Sequence, residues 1–421
     1  MTLPALSESS SLRFATLAML YVAQGIPDAM VLIIFPAYLA AQGVSPAEIG
    51  GFLALAMAPN SAKLISGPLI DRFSFLPMGR RKPWVMLGQL GIAAAFIFLT
   101  FLGDPAEQLF LFGAGAFAIT LATVFQDVAT DGMAMDLVPV EEQGKANGLM
   151  WGGKTLGTAI AASAGAAILA AAGFGLMVGT MALVLLAVLA AFILFRERPG
   201  ERLMPWSKGS SSPESLNRKV DDWRSLVVQL FAAIRRPAAI RLIGISISIG
   251  LIAGLSGAML PALFVQQFGW TNGDYSQLRS VLKLVAGIAG MVAGGFLVDK
   301  IGQRRMLWLL FGAMALASAT LAGSLGLDVG AYFIAAYEVL LVFIFIAFFA
   351  ATMHQCWPQI AATQFSFTMV CGNMALVVGA ASLGPIEGAA GYQGVLGALA
   401  TLCLVAAAIA TSIRFDDRQQ A

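Results

Sequence analysis

The stretch VFQDVATDGMAMDLVP, Val124 to Pro139, carries carboxylates at Asp127, Asp131 and Asp136 inside a run otherwise suited to hydrocarbon. Ionisable groups in such surroundings are costly, and they mark solute or ion pathways when they face a cavity or a partner. Asp28, Lys63, Lys154, Arg279, Lys283 and Glu338 lie in similarly apolar stretches. Cations so placed can receive an anionic group of a solute. A carboxylate there can exchange a proton, because burial and neighbouring charge set its proton affinity; Asp28, Glu338 and the Asp127/Asp131 pair are the candidates. Gln24, Asn60 and Asn373 are polar residues that can orient a solute.

Helical rise gives depth. Lys154, nine residues past Lys145, lies about 13 Å inside, and Lys283 reaches a similar depth counted from Asp274. The two cations can flank one midplane site, or each can form a buried ion pair, with Asp131 or Glu338, that only fixes helix register. Arg279 sits near enough to a helix end to snorkel, and Asp136 lies at the membrane boundary; both read as structural. Asp127 and Asp131 are four residues apart and share a helix face. The same depth argument puts Lys63 beside them, in a cluster near an inner gate or in a pair that serves register alone.

The elements that hold these residues follow from composition. A chain of 421 residues that is 59% hydrophobic and 11% charged, with a mean hydropathy of +0.83, departs from the roughly 25% charged residues of soluble domains. Stretches of about 20 apolar residues, enough to cross the hydrocarbon, recur over residues 12–40, 47–70, 84–103, 108–137, 146–172, 174–195, 238–268, 275–298, 306–325, 330–354, 361–387 and 391–413. The expected fold is an all-α membrane protein with twelve transmembrane helices. Pro27, Pro36, Pro59 and Gly25 interrupt the first two, as mobile cavity walls or as static kinks.

Lys and Arg set orientation. Arg72, Arg80, Arg81 and Lys82 follow the second stretch, Lys145 the fourth, and Lys300, Arg304 and Arg305 the eighth, while Arg196 to Arg236 fill the central loop. The opposite loops carry Glu48, Asp104, Glu107, Asp274 and Asp328. With Arg13 before the first stretch and Arg414 and Arg418 after the last, both termini and the central loop are placed in the cytoplasm, in an inner-membrane protein. The N-terminal MTLPALSESSSLRF lacks the pattern of a removable signal peptide. The low-complexity SKGSSSPESLNRKVDDW, Ser207 to Trp223, reads as a flexible linker, giving an N-terminal bundle 1–195, a cytoplasmic linker 196–237 and a C-terminal bundle 238–421.

The halves repeat. GPLIDRFSFLPMGRRKPW after the second stretch and GGFLVDKIGQRRMLW after the eighth align Gly67, Asp71, Arg72, Arg80 and Arg81 with Gly295, Asp299, Lys300, Arg304 and Arg305. Glycine permits close helix approach, and the Asp suits a helix N-terminus. This signature resembles the major facilitator superfamily across nearly the whole chain. The insertion RFSFLPM between Asp71 and Gly79, together with QDVATDGMAMDLVPVEEQG, YVAQGIP, GRRKPWV, KTLG and AATQFSFTM, resembles the branch of AmpG-type muropeptide permeases, acetyl-CoA transporters and siderophore permeases. QDVATDG is nearer to the siderophore and acetyl-CoA members. The resemblance implies two pseudo-symmetric six-helix bundles with spans 3, 6, 9 and 12 at the periphery. Independently, those four stretches hold no Asp, Glu, Lys or Arg in their interiors.

The expected function is therefore secondary active transport by alternating access, a proton-coupled import of a bulky solute with an anionic group such as a muropeptide or siderophore. An acetyl-CoA or peptide carrier of the same branch is the alternative. Other classes are a membrane-embedded enzyme and a non-transporting sensor. His354 and Cys356 in TMHQCWP are two residues apart, a spacing that points helical side chains away from each other. No phosphate-binding glycine loop, HExxH or GxSxG appears, which argues against an enzyme or an ATP-driven pump. Cys356, Cys371 and Cys403 are an odd number without metal spacing. No cofactor, metal or nucleic-acid partner is expected; the partners are a small-molecule solute, protons and the lipid bilayer, and the protein is expected to be a monomer.

Overall fold

The computed structural model describes residues 5–220, 222–270, 272–325 and 327–414, so Arg418 falls outside it. Among the described residues every regular element is helical. Helix α1 (Ser10–Ala29) begins where the Ser9 hydroxyl accepts from the Leu12 N–H at 3.3 Å, satisfying one of the free donors of the first turn. Pro27 lies within α1, which stays helical to Ala29; Pro36, which supplies no N–H, crowds the turn before it. The chain then widens into a π-helical turn, Met30–Ile34, before α2 (Phe35–Ala41).

Helix α3 (Pro46–Met57) opens with a capping box between Ser45 and Glu48, a reciprocal arrangement that satisfies two donors. Pro59 then forces a 3₁₀ segment, Ala58–Ala62, from which α4 (Lys63–Arg72) continues. The breaks expected from prolines in the first two stretches are thus a π turn and a 3₁₀ turn. Next come α5 (Lys82–Thr100), α6 (Leu109–Leu137) and α7 (Gln143–Ile193), the last broken at Gly173 with φ of 82°.

The remainder comprises α8 (Pro213–Asn217), α9 (Trp223–Ile234), α10 (Pro237–Ala262), α11 (Asn272–Ala289), α12 (Gly295–Ile301), α13 (Gln303–Gly323), α14 (Leu327–Gln355), α15 (Ala361–Ala381) and α16 (Leu383–Ser412). Helix α16 is broken at Gly391 with φ of 62°. Ten helices among the described residues are long and apolar enough to cross a membrane.

The chain divides into two compact units: Met1–Pro139 with Gly153–Val228 and Pro358–Ser366, and Val140–Gly152 with Gln229–Trp357 and Phe367–Ala421. In the first, Phe35, Phe52 and Phe112 form an aromatic core, with the Phe112 ring 4.8 Å from each of the other two, contacts of the kind worth about 1 kcal/mol each beyond area burial. In the second, Phe264, Phe311, Tyr337 and Phe348 are buried in one continuous core. Leu87, Phe98, Leu183, Leu316 and Leu404 are exposed on α5, α7, α13 and α16, as expected of surfaces that face lipid rather than water.

The central segment differs from the flexible linker expected of its composition. Ser212 and Ser215 are buried and donate to the Glu201 carboxylate at 2.8 and 3.0 Å, and the Ser212 hydroxyl caps α8. Hydroxyls that read as low complexity are here hydrogen-bonding groups, and a buried acceptor orders the chain around it.

Candidate functional site

Two ion pairs line one cavity of the first unit, about 210 Å³ in volume. Lys63 Nζ donates to Asp127 Oδ2 at 2.7 Å, and Lys154 Nζ lies 3.0 Å from Asp28 Oδ2. Asn60, Thr120 and Thr123 share the lining. Thr120, Thr123, Val124 and Asp127 follow the i, i+3, i+4, i+7 spacing of one helical face, so α6 presents this wall as a unit.

Backbone packing sets the second pair. A Cβ on Gly25 would fall 2.7 Å from the Lys154 carbonyl oxygen and closer still to the backbone at Gly157 and Thr158. Helices α1 and α7 therefore touch main chain to main chain. Asp28 lies three residues after Gly25, and Lys154 three before Gly157, so that contact carries their side chains together. The 3₁₀ turn at Pro59 does the equivalent for Asn60 and Lys63, since it ends where Lys63 begins α4.

Asp131 does not join Lys63. It accepts a hydrogen bond from the Tyr21 hydroxyl, on α1, while Asp127 alone holds the lysine. The three-member cluster expected from sequence is a lysine pair plus a tyrosine-held carboxyl. Lys154 is engaged by Asp28, rather than by Asp131 or Glu338. Gln24 is 1% exposed and absent from the cavity lining; its amide atoms have no hydrogen-bond partner among the described residues.

In the second unit Glu338 is buried and accepts from Arg279 Nε at 2.7 Å. Arg279 thus points to a carboxylate instead of snorkelling outward, because the 2% exposed Glu338 would otherwise be an isolated buried charge. Lys283 and Asn373 are exposed.

The loop signature forms two equivalent caps. Asp71 Oδ2 accepts from the Thr363 N–H and hydroxyl, each at 2.7 Å, at the start of α15. Asp299 accepts from the Gly144 and Lys145 N–H groups at 3.0 and 3.1 Å, at the start of α7. Each Asp sits four residues after a glycine, Gly67 or Gly295. A Cβ on Gly67 would meet the Ala362 oxygen at 2.8 Å, and one on Gly295 the Gly144 oxygen at 2.6 Å. Close approach and dipole capping are thus coupled on one helix face.

Around Asp71 the first unit builds a charge network. Arg81 Nη2 lies 2.7 Å and Arg80 Nη2 3.2 Å from Asp71; Arg80, Arg81 and Arg218 converge on Asp136 at 3.2, 2.9 and 3.0 Å. The Glu197 carboxylate accepts the N–H groups of Arg80 at 2.9 Å, Arg81 at 2.7 Å and Lys82. Gly79, with φ of 102°, lets the chain turn in against it. Burial, then the neighbouring Glu201, pushes the Glu197 carboxyl up to about 7. Arg72 instead stacks over the Phe73 ring at 5.3 Å. In the second unit Arg304 and Arg305 are exposed and line a separate cavity with His354.

Sequence reading missed Tyr21, Thr120 and Thr123 as members of the site, and Glu197 and Arg218 as members of the network. The two threonines were open to discovery, since they lie seven and four residues before Asp127. Nothing local marks Glu197, which meets Arg80 across more than a hundred residues of chain.

A bundle of apolar helices carrying paired charges on a cavity wall is the architecture of a polytopic transport protein. The family model described as Major Facilitator Superfamily matches residues 17–380, and the chain belongs to that family. It is 26% identical over 309 residues to the anhydromuropeptide permease of Escherichia coli K12, an alignment covering 73% of this chain and 59% of the permease. An uncharacterised Haemophilus influenzae protein is 24% identical over 385 residues, 87% of this chain and 86% of that one. Among solved structures, the human organic anion transporter MFSD10 superposes with a TM-score of 0.72 at 13% identity, covering 94% of this chain and 98% of that one. A bacterial homologue of the iron transporter ferroportin gives 0.69 at 16% identity, with the same coverage.

Proposed function

We propose that the protein is a proton-coupled importer of a bulky solute bearing an anionic group, with a muropeptide or siderophore as the solute class. The observation that carries this reading is the pairing of Lys63 with Asp127 and Lys154 with Asp28 on one cavity wall. An arriving anion can replace the carboxylate on Lys154, and the freed carboxylate can take the proton that couples transport. Gln24, Asn60, Lys154, Lys283 and Asn373 are the proposed solute contacts, and Asp28, Lys63, Asp127, Asp131 and Glu338 the proposed coupling or gating groups. Dividing 140–193 at Gly173 and counting the broken helix 46–72 brings the ten apolar helices to the twelve crossings proposed for two six-helix bundles, 1–195 and 238–421, joined by 196–237.

The kinship to an anhydromuropeptide permease supports the solute class. The test is uptake into proteoliposomes of an anhydromuropeptide and, separately, a ferric siderophore, each with an imposed proton gradient, inside alkaline. Accumulation of either that collapses with a protonophore supports the reading. Equilibration without accumulation refutes coupling, and failure of both refutes the solute class.

A further inference from the structure

Three arginines converge on a cavity of about 660 Å³ in the second unit, far in chain from the paired lysines. Arg241 comes from the second turn of α10, Arg304 from the first turn of α13, and Arg414 from just beyond α16; Pro237, Ala238, Thr411 and Ser412 complete the wall. Among the described residues the lining holds no carboxylate. None of the three guanidiniums has an ion-pair or hydrogen-bond partner among the described residues. Elsewhere in this chain arginines near carboxylates are paired, as Arg80, Arg81 and Arg279 are. Arg304 also borders the neighbouring cavity that contains Glu141 and Asp299, without bonding to either.

Three like charges left facing one concavity repel each other, and a bound anion removes that repulsion. Guanidinium groups present planar donor forks that match phosphate oxygens in pairs. The start of α10, where Pro237 carries no N–H, adds the positive end of its dipole beside Ala238.

The position decides between a soluble anion and a lipid. Arg241, Arg304 and Arg414 all lie at the ends of apolar, membrane-length helices, Pro237–Ala262, Gln303–Gly323 and Leu383–Ser412. Ile240, next to Arg241, and Trp308, one turn after Arg304, are exposed, an apolar flank fit for acyl chains. Basic pockets between transmembrane helices suit the headgroups of anionic lipids. We infer that this cavity is a binding site for the phosphate headgroup of an anionic phospholipid, held by Arg241, Arg304 and Arg414.

Native mass spectrometry of delipidated protein in detergent tests it, with dioleoylphosphatidylglycerol, dioleoylphosphatidylcholine and glycerol 3-phosphate as probes. Wild type should retain phosphatidylglycerol in preference to phosphatidylcholine. The triple variant R241Q/R304Q/R414Q should bind phosphatidylglycerol at least about tenfold more weakly, whereas R224Q/R235Q, which alters exposed arginines elsewhere, should bind as wild type does. Circular dichroism reports whether the triple variant folds; if it does not, each single variant should show a smaller loss in the same direction. Undiminished phosphatidylglycerol binding by a folded triple variant, or by all three single variants, overturns the proposal. So does equal retention of phosphatidylcholine. Displacement of phosphatidylglycerol by glycerol 3-phosphate at matched concentration would make the site one for a soluble phosphate, and overturn the lipid assignment.

Discussion

Lys63 and Asp127 are only partly shielded, with side chains 20% and 12% exposed, and they lie 2.7 Å apart. Removing the lysine alone leaves a mostly buried carboxylate without its ion-pair partner, whereas removing both leaves no unpaired charge at this position. Lys63→Met should therefore lower the melting temperature more than Lys63→Met with Asp127→Leu, and a double-mutant cycle by thermal unfolding in detergent should return a coupling of about 1 kcal/mol. Equal melting temperatures for the single and double variants would show that the pair carries no stability. Function is separable from this. Under the proposed coupling, Asp127→Asn should leave a folded protein that exchanges solute across the membrane but no longer accumulates it on a proton gradient, and both activities can be read from one proteoliposome preparation. At this scale helical depth placed Lys63 beside Asp127, but it could not distinguish which of two carboxylates, four residues apart, the lysine would choose. That choice rests on Tyr21, whose hydroxyl occupies Asp131, a contact across 110 residues that no local pattern signals.

Helices α1 and α7 meet through glycine backbone, so their register depends on the lack of a side chain at Gly25. Gly25→Ala should cost at least about 1–3 kcal/mol, typical of overpacking, because the obstructing atoms belong to main chain and cannot swing aside. The measurement is the melting temperature beside solute uptake, and both should fall, since Asp28 and Lys154 are carried on the separated helices. The central segment offers a pH-dependent contrast. Glu197 titrates near 4.5 when unfolded and at about 7 in the fold, so the folded state holds the extra proton between those values. Its contribution to stability is complete below about 4.5 and is lost as pH rises through about 7. Wild type should lose more thermal stability than Glu197→Gln on moving from pH 5.5 to pH 8; parallel melting curves would show that Glu197 does not change protonation. The breaks at Pro36 and Pro59 were legible because proline acts on the turn next to it, and the linker was misread because serine-rich composition says nothing of a distant Glu201 waiting to accept.

At the scale of the whole molecule, the loop cations predict orientation. A cysteine at Ser211 should react with an impermeant maleimide only from the cytoplasm, and one at Glu107 only from outside; labelling of both from the same face would reject the twelve-span topology. The fold class was readable because hydrocarbon imposes one rule along the entire chain, and the repeat was readable because Asp71 and Asp299 perform the same capping task at equivalent places. The solute is not readable in this way: specificity depends on a few groups gathered from separate helices, and their spacing in sequence carries no trace of the shape they enclose.

Two lysines and two aspartates line the cavity of the first unit, so its resting formal charge is zero. That neutrality has an electrical consequence for the proposed mechanism. If a monoanionic solute takes the place of Asp28 on Lys154, and Asp28 then carries one proton, the loaded cavity is neutral as well. Neither the empty nor the loaded carrier then moves net charge through the bilayer field, and the roughly 2.3 kcal/mol that 100 mV exerts on each elementary charge finds nothing to act upon. Uptake of a monoanion into proteoliposomes should therefore follow the pH difference and ignore a potassium–valinomycin diffusion potential of either sign. Acceleration by an inside-negative potential would mean that more than one proton enters with each solute.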